Sequence, residues 1–252
     1  MVCLSLSVAI ITRNEEANLR RTLPSVAWAD EIVILDSGST DATRSVAESF
    51  GARFFVEPWK GFAAQKNSAL QKATGDWILS LDADEEVEPA LAEEIRQTLA
   101  ANPPVAGFWI RRKNFFLGRW IRHGGFYPDA KLRLFRRGAG QFEDRRVHED
   151  VRLQGPTGKL RSHLLHHAYP TLETYLEHMN RYSSLGAEMA VAEKGGAGFS
   201  FINIVVRPRL TFLYNYFLRG GFLDGREGLL LHLYHANYVS WKYAKAWEQR
   251  RR

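Results

Sequence analysis

Along the first hundred residues, apolar positions come in short β-branched runs, and each run stops at a polar cluster. Leu4 to Ile11 runs into Thr12-Arg13-Asn14-Glu15-Glu16, Ile32 to Leu35 into Asp36-Ser37-Gly38-Ser39-Thr40-Asp41, and Trp77 to Leu81 into Asp82-Ala83-Asp84-Glu85-Glu86. Between them lie patterns of helical spacing: one through Leu19, Leu23 and Val26, one from a cap at Thr40 or Asp41 to Phe50, and one from Gly61 to Ala73. Arg53 to Val56 is a further short strand. Strand and helix alternating at this interval predict an α/β fold built on a mainly parallel sheet. Ligands of such sheets gather at the carboxyl ends of the strands, where Thr12, Asp36 and Asp82 all stand.

Pro103-Pro104 marks a change of character. A strand is expected from Gly107 to Lys113. A loop rich in glycine follows, with Trp120, Phe126 and Tyr127 interleaved among arginines. Lys131 to Arg137 alternates polar and apolar residues, which predicts a half-buried strand with Arg133 on its polar face. Leu160 to Leu165 reads as a strand ending at His166-His167. Thr171 to Glu193 reads as one long helix, capped by Thr171 and stopped at Gly195-Gly196. Beyond Ser200 to Val206, Pro208 opens another apolar helical pattern, broken at Gly220-Gly221 and Gly225 before a final helix from Glu227 to Glu248. The longest uncharged runs here, Gly195 to Val206 and Gly228 to Trp241, fall short of the ~18–20 residues that span a bilayer.

The chain has 252 residues, 45% of them hydrophobic, enough for a sizeable core in one large domain or in a domain with an appendage. Its single cysteine, Cys3, cannot form an internal disulfide, and no signal peptide is expected at the N-terminus, so a reducing, cytoplasmic location is expected. The net charge of +6 is unevenly spread. Residues 1–110 hold 9 Lys/Arg against 16 Asp/Glu, residues 111–146 hold 11 against 3, and residues 207–252 hold 9 against 3. Two basic blocks on an otherwise acidic chain point to anionic partners: nucleic acid, an acidic substrate or an anionic membrane surface.

The acidic cluster after Leu81 requires a cation. Asp82 and Asp84, two apart on extended backbone, project to the same side and repel unless something positive sits beside them. Hard carboxylate ligands select Mg²⁺ or Mn²⁺, usually completed by substrate phosphates such as those of a sugar nucleotide. The competing explanation is an acidic first turn of a helix beginning near Pro89, where the helix dipole favours negative charge.

Taken in order, Ile11 to Leu19, Ile34 to Asp41, Gly61 to Asn67 and Gly75 to Asp84 resemble the family-two inverting glycosyltransferases of GT-A fold. Val147-His148-Glu149, Asn180-Arg181-Tyr182-Ser183 and Gly221-Phe222-Leu223-Asp224-Gly225 extend the resemblance to the bacterial lipopolysaccharide-core glucosyltransferases of that family. The resemblance implies a Rossmann-like nucleotide-binding sheet, mainly parallel but mixed, flanked by helices. It implies a catalytic domain over 1–170, with a nucleotide-sugar half at 1–102 and an acceptor half at 103–170, and a C-terminal helical appendage at 171–252. Thr12, Arg13, Glu15, Asp36, Lys66 and Asp82 would then surround the donor, with the Asp36 carboxylate suited to the N3–H of uracil. Asp84 would hold the metal with His166. Glu149 would be the base that deprotonates the acceptor, with Asp150 as its rival, and Glu85 and Glu86 would be first-turn helix residues.

The expected reaction is hexosyl transfer from a nucleotide-diphosphate sugar, UDP-glucose or a relative, to a phosphate-rich glycolipid at the cytoplasmic face of the inner membrane. The C-terminal helices would attach to the membrane surface or pair in a homodimer. A polyprenyl phosphate acceptor is an alternative. A sugar nucleotidyltransferase would need a glycine-rich loop after the first strand, which Thr12-Arg13-Asn14-Glu15-Glu16 lacks. An RNA-binding protein would account for the basic blocks but not for carboxylates at strand ends, so nucleic acid is not expected as a partner.

Overall fold

A computed structural model describes residues 4–143, 151–194 and 199–251. In chain order the elements are β1 (Leu6–Thr12), α1 (Glu16–Val26), β2 (Glu31–Asp36), α2 (Thr43–Ser49), β3 (Arg53–Val56), α3 (Phe62–Lys72), β4 (Trp77–Leu81), β5 (Glu85–Val87), α4 (Pro89–Ala100), β6 (Gly107–Phe116), β7 (Arg119–Trp120), β8 (Asp129–Arg136), β9 (Gly140–Phe142), β10 (Val151–Leu153), β11 (Thr157–Tyr169), α5 (Leu172–Lys194), α6 (Arg207–Leu213) and α7 (Gly225–Gln249). Single π-helical segments, Ile202–Val206 and Tyr214–Leu218, flank α6.

The chain divides into two compact units. The first holds residues 1–112 and 129–166, the second residues 113–128 and 167–252. Strands hydrogen-bond in the order β3-β2-β1-β4-β8-β6-β11-β5, with β7 on β6, while β9 and β10 form a separate pair. The first four are parallel, with Thr12 level with Asp36 and Ile10 level with Leu81, so their carboxyl ends emerge together. Antiparallel pairing begins where β8 joins β4. The sheet is therefore mixed, its parallel part carried by the first hundred residues.

β1 is buried along almost its whole length because unit 1 covers both faces of the sheet, as near-continuous apolar strands of parallel sheets require. Leu6, Val8 and Ile10 pack with Leu19 and Leu23 of α1, Val46 of α2 and Leu91 and Ile95 of α4. Ala9, Val33, Leu35 and Ile78 face the other way, onto Ala63, Ala69 and Leu70 of α3. The period of two between these sets is the strand's own alternation.

Four expectations are corrected. Glu85 and Glu86 are not helical: they lie in β5, held by antiparallel pairing of Glu85 with His166, Glu86 with Leu165 and Val87 with Leu164. The helix begins after them, at Pro89, with no acidic residue in its first turn, so helix-dipole electrostatics do not account for the carboxylates. Arg133 sits in the predicted strand but is buried, because the polar face of β8 is covered by carboxylates from neighbouring strands. Finally, the strand expected to end at Leu165 runs on through His166 and His167 to Tyr169, and the segment around Pro208 is helical continuously from Ile202 to Leu218.

In unit 2, Phe116, Ile121, Tyr175, Met179 and Leu231 form a core shared by α5 and α7. Thr171 caps α5, its Oγ1 accepting the Thr174 N–H at 3.1 Å. Asp224, 2% exposed, receives the backbone N–H groups of Arg122 and His123 and the His123 ring Nδ1 at 3.0 Å. It fixes the 119–123 loop, a structural task for a residue of the Gly221–Gly225 motif. His232 fills the space between Gly124 and Gly221. A Cβ on Gly124 would lie 1.9 Å from the imidazole, so no larger residue fits there.

Candidate functional site

The strand-end residues of unit 1 form three polar groupings. At the end of β1, Thr12 Oγ1 donates to Asp36 Oδ1 across the register at 2.9 Å. The other Asp36 oxygen accepts the N–H groups of Gly38 at 2.8 Å and Ser39 at 2.7 Å, and the Ser39 hydroxyl adds a fourth donor. Burial works against this carboxylate, but donors led by Ser39 outweigh it and keep its pKa below the usual value. All four acceptor positions of Asp36 are thus taken by the protein. A ligand N–H reaching Asp36 must displace one, and the Ser39 hydroxyl, which can rotate away, is the most replaceable.

Asn14 stitches the turn after β1 to the turn after β2. Its N–H donates to Ser39 Oγ at 2.7 Å and its Oδ1 accepts the Thr40 N–H at 2.8 Å. Asn14 takes φ 56°, a region that asparagine tolerates better than most residues. Glu15 is held here by Asn18, whose Nδ2 donates at 2.7 Å. Its pKa is raised, first by burial and further by the nearby charges of Asp84, Asp41 and Asp82, so it favours its protonated form more than an ordinary glutamate does. Arg13 is exposed beside it.

After β4, Asp82 is enclosed by protein cations. Lys66 Nζ on α3 lies 2.7 Å from its Oδ1, and Arg133 on β8 pairs with its Oδ2. Burial opposes ionisation, but Arg133 and then Lys66 hold the carboxyl well below the usual range. Arg133 also reaches Glu85 Oε1 at 2.7 Å, and Arg112 on β6 reaches the same oxygen at 2.9 Å. Glu85 is completely buried, and Arg112 also grips Asp129 at 2.6 Å. Sequence reasoning missed Arg112, Arg133 and Glu85 as a unit. The available signal was an arginine on the polar face of each of two strands, in a chain whose first hundred residues carry excess acid.

Asp84 points elsewhere, its Oδ2 lying 3.4 Å from His166 Nε2. Burial raises its pKa, but the charge and hydrogen bond of His166 bring it below the usual value. Asp84 and His166 are partly exposed, at 30% and 17%. Lys66 also lies over the Phe142 ring at 5.1 Å, and Phe142 with Asn67, Gln141 and Arg152 lines a cavity of about 460 Å³. Cations of the 111–146 block are thus spent within unit 1, among them Arg112 and Arg133 as above, Arg136 over Trp77 at 4.9 Å, and Arg137 on the Gly75 carbonyl at 3.0 Å.

The structure therefore brings together Thr12 with Asp36, Lys66 with Asp82, and Asp84 with His166, with Glu15 close enough to sense both aspartates. Glu149 and Asp150 lie outside the described residues, as do His148 and Cys3. Asn180 and Ser183 belong to unit 2, where they accept hydrogen bonds from Lys245.

Residues 7–162 match the family described as Glycosyl transferase family 2. A lipopolysaccharide core biosynthesis glycosyltransferase, LpsC of Rhizobium meliloti, is 33% identical over 98% of this chain and 93% of its own. Among solved structures, the mannosyltransferase PcManGT of Pyrobaculum calidifontis, in complex with GDP-Man and Mn²⁺, superposes with a TM-score of 0.55 at 16% identity, covering 96% of this chain and 87% of its own. TarS 1–349 of S. aureus, in complex with UDP-GlcNAc, gives 0.50 at 16% identity, covering 98% and 92%. These likenesses show a GT-A fold with a C-terminal helical region.

Proposed function

The chain belongs to glycosyl transferase family 2, and from that premise we propose that it is a metal-dependent, inverting hexosyltransferase. The donor is a nucleotide-diphosphate sugar, UDP-glucose or a relative. The acceptor is a phosphate-rich glycolipid such as lipopolysaccharide inner core, in keeping with the name of the Rhizobium meliloti relative. The observation that carries this reading is the division of labour at the end of β4, where Asp82 is neutralised by Lys66 and Arg133 while Asp84 faces His166 instead.

That second pair fits part of a divalent-ion shell. The carboxylate suits either Mg²⁺ or Mn²⁺ and the imidazole favours Mn²⁺ of the two, with diphosphate oxygens to complete the coordination. When bound, the ion supplies charge neutralisation to the leaving diphosphate. Around it, Thr12, Arg13, Glu15 and Asp36 frame the base and ribose, with Asp82 at the ribose. Lys66, anchored on Asp82, adds positive charge beside the donor.

Glu149, with Asp150 as its rival, takes the acceptor proton in this proposal, an assignment that rests on the sequence motif. Residues 1–170 act as the catalytic domain, and residues 171–252 as an extension that keeps the enzyme peripherally at the cytoplasmic face of the inner membrane. The test is a screen of sugar-nucleotide hydrolysis with Mg²⁺ and Mn²⁺, repeated with Asp84→Asn. A metal-dependent preference for one donor, sharply reduced in a variant that melts like wild type, is expected. Hydrolysis that survives both excess EDTA and Asp84→Asn would remove the metal from the mechanism.

A further inference from the structure

In unit 2, residues 199–223 carry a concentration of apolar surface facing outward. Phe201, Ile202, Leu210, Phe217, Leu218 and Leu223 are 61%, 67%, 59%, 54%, 79% and 55% exposed. In the helical stretch from Ile202 to Leu218 only Pro208 is buried. Soluble proteins rarely leave a patch of this kind uncovered. Residues 199–223 hold Arg207, Arg209 and Arg219 and no Asp or Glu. Among the described residues no helix is long and apolar enough to cross a membrane, and two of these arginines fall in the middle of this one.

We propose that residues 199–223 lie in one leaflet of an anionic phospholipid bilayer, apolar side chains in the acyl boundary and arginines at the headgroup phosphates. The proposal rests on the reading that the acceptor is borne by a lipid, and it gives that reading a specific surface. Charge complementarity selects lipid over a second copy of the chain. A twofold contact through this patch would set arginines against arginines, with no carboxylate in the segment to pair them. A bilayer of anionic lipid supplies both the apolar medium and the counter-charge.

The location differs from the simplest reading of the basic C-terminus, because lysines of α7 are engaged within unit 2. Lys245 Nζ donates to the Asn180 carbonyl and side chain and to Ser183 and Ser184 of α5, at 2.6–2.9 Å. The Lys242 stem packs at Gly186. Arg207 ties the segment to α7 through the Tyr243 hydroxyl at 2.6 Å, whereas the exposed Arg209 donates to the Val205 carbonyl of its own helix at 2.8 Å.

The test is co-sedimentation of the full chain with vesicles of phosphatidylglycerol and phosphatidylcholine, against phosphatidylcholine alone. Wild type should pellet with the anionic vesicles. Phe217→Ser/Leu218→Ser should weaken that binding at least about tenfold, and Arg209→Gln roughly fivefold, with melting temperatures unchanged. As a second readout, Cys3→Ser/Leu218→Cys carrying an environment-sensitive fluorophore should shift to the blue on vesicle addition. Wild type that ignores both vesicle types, a variant that pellets like wild type, or a label that stays in water would overturn the proposal. So would a dimer, seen by analytical ultracentrifugation, that Phe217→Ser/Leu218→Ser dissociates. Lipid-free sugar-nucleotide hydrolysis, which involves neither residue, reports separately on the donor reading.

Discussion

Replacing Arg133 with methionine probes how unit 1 tolerates carboxylates under its sheet. Arg133 is 5% exposed, and its guanidinium serves Asp82 and the wholly buried Glu85 together. Removing one partner from a buried ion pair costs ~3–5 kcal/mol, because the remaining charge is left without compensation. Here Glu85 keeps Arg112 at 2.9 Å and Asp82 keeps Lys66 at 2.7 Å, so the cost belongs at the lower end, about 3 kcal/mol. At ~2–4 °C per kcal/mol for a chain of this size, the melting temperature should fall by roughly 6–12 °C. Urea unfolding followed by circular dichroism at neutral pH measures the loss directly. Arg133→Met/Glu85→Gln should recover part of it, since the double variant no longer buries a carboxylate that has lost one of its two counter-charges, while Arg112 retains Asp129 at 2.6 Å. Added salt should change the difference little, because ions do not reach a buried pair. A loss for Arg133→Met under ~0.5 kcal/mol, the size of an ordinary surface substitution, would refute the network as described.

Deprotonation by a placed carboxylate is worth ~10²–10⁴-fold in rate, so Glu149→Gln should lose that factor in transfer while nucleotide affinity, measured by calorimetry, is kept. If Asp150→Asn carries the loss instead, the base is its neighbour. Asp36→Asn places an amide N–H₂ among four donors, so it should both lower the melting temperature and weaken nucleotide binding; unchanged stability would show that the observed turn does not depend on the carboxylate. His232 is buried with its pKa pushed down to about 4, by burial first and by His235 next. An unfolded chain takes up this proton below its ordinary value of 6.5 and the folded one does not, so stability is fully present above that pH. It should fall as pH drops toward 4, by up to about 1.4 kcal/mol per unit. His232→Gln should flatten the urea-midpoint profile in that window, and an unchanged slope would exclude His232 as its source.

Much of this protein is legible in one dimension. Apolar runs ending in Thr12, Asp36 and Asp82 specify parallel strands, because burial on both faces demands uninterrupted apolar residues and the turn after each strand needs polar ones. Local patterning of this kind does not depend on which distant segment becomes a neighbour. The sequence alone also determined that residues 207–252 are basic and aromatic, that Thr171 can cap a helix, and that Asp82 and Asp84 leave the same strand end. What those groups do depends on the neighbours that folding gives them. Glu85 and Glu86 looked like a helix start until pairing with β11 drew them into a strand. Arg133 looked like a surface residue until the order β4-β8-β6 laid it between Asp82 and Glu85. Arg112 and Lys66, far apart in the chain, became counter-charges of one acidic cluster. Likewise, composition spread the anionic-surface signal over the whole C-terminus, whereas packing of Lys245 into α5 left the exposed apolar arc to residues 199–223. The physical reason is common to these cases: a backbone conformation follows largely from nearby residues, whereas the energy of a charge or an apolar side chain depends on what folding places within a few ångströms of it.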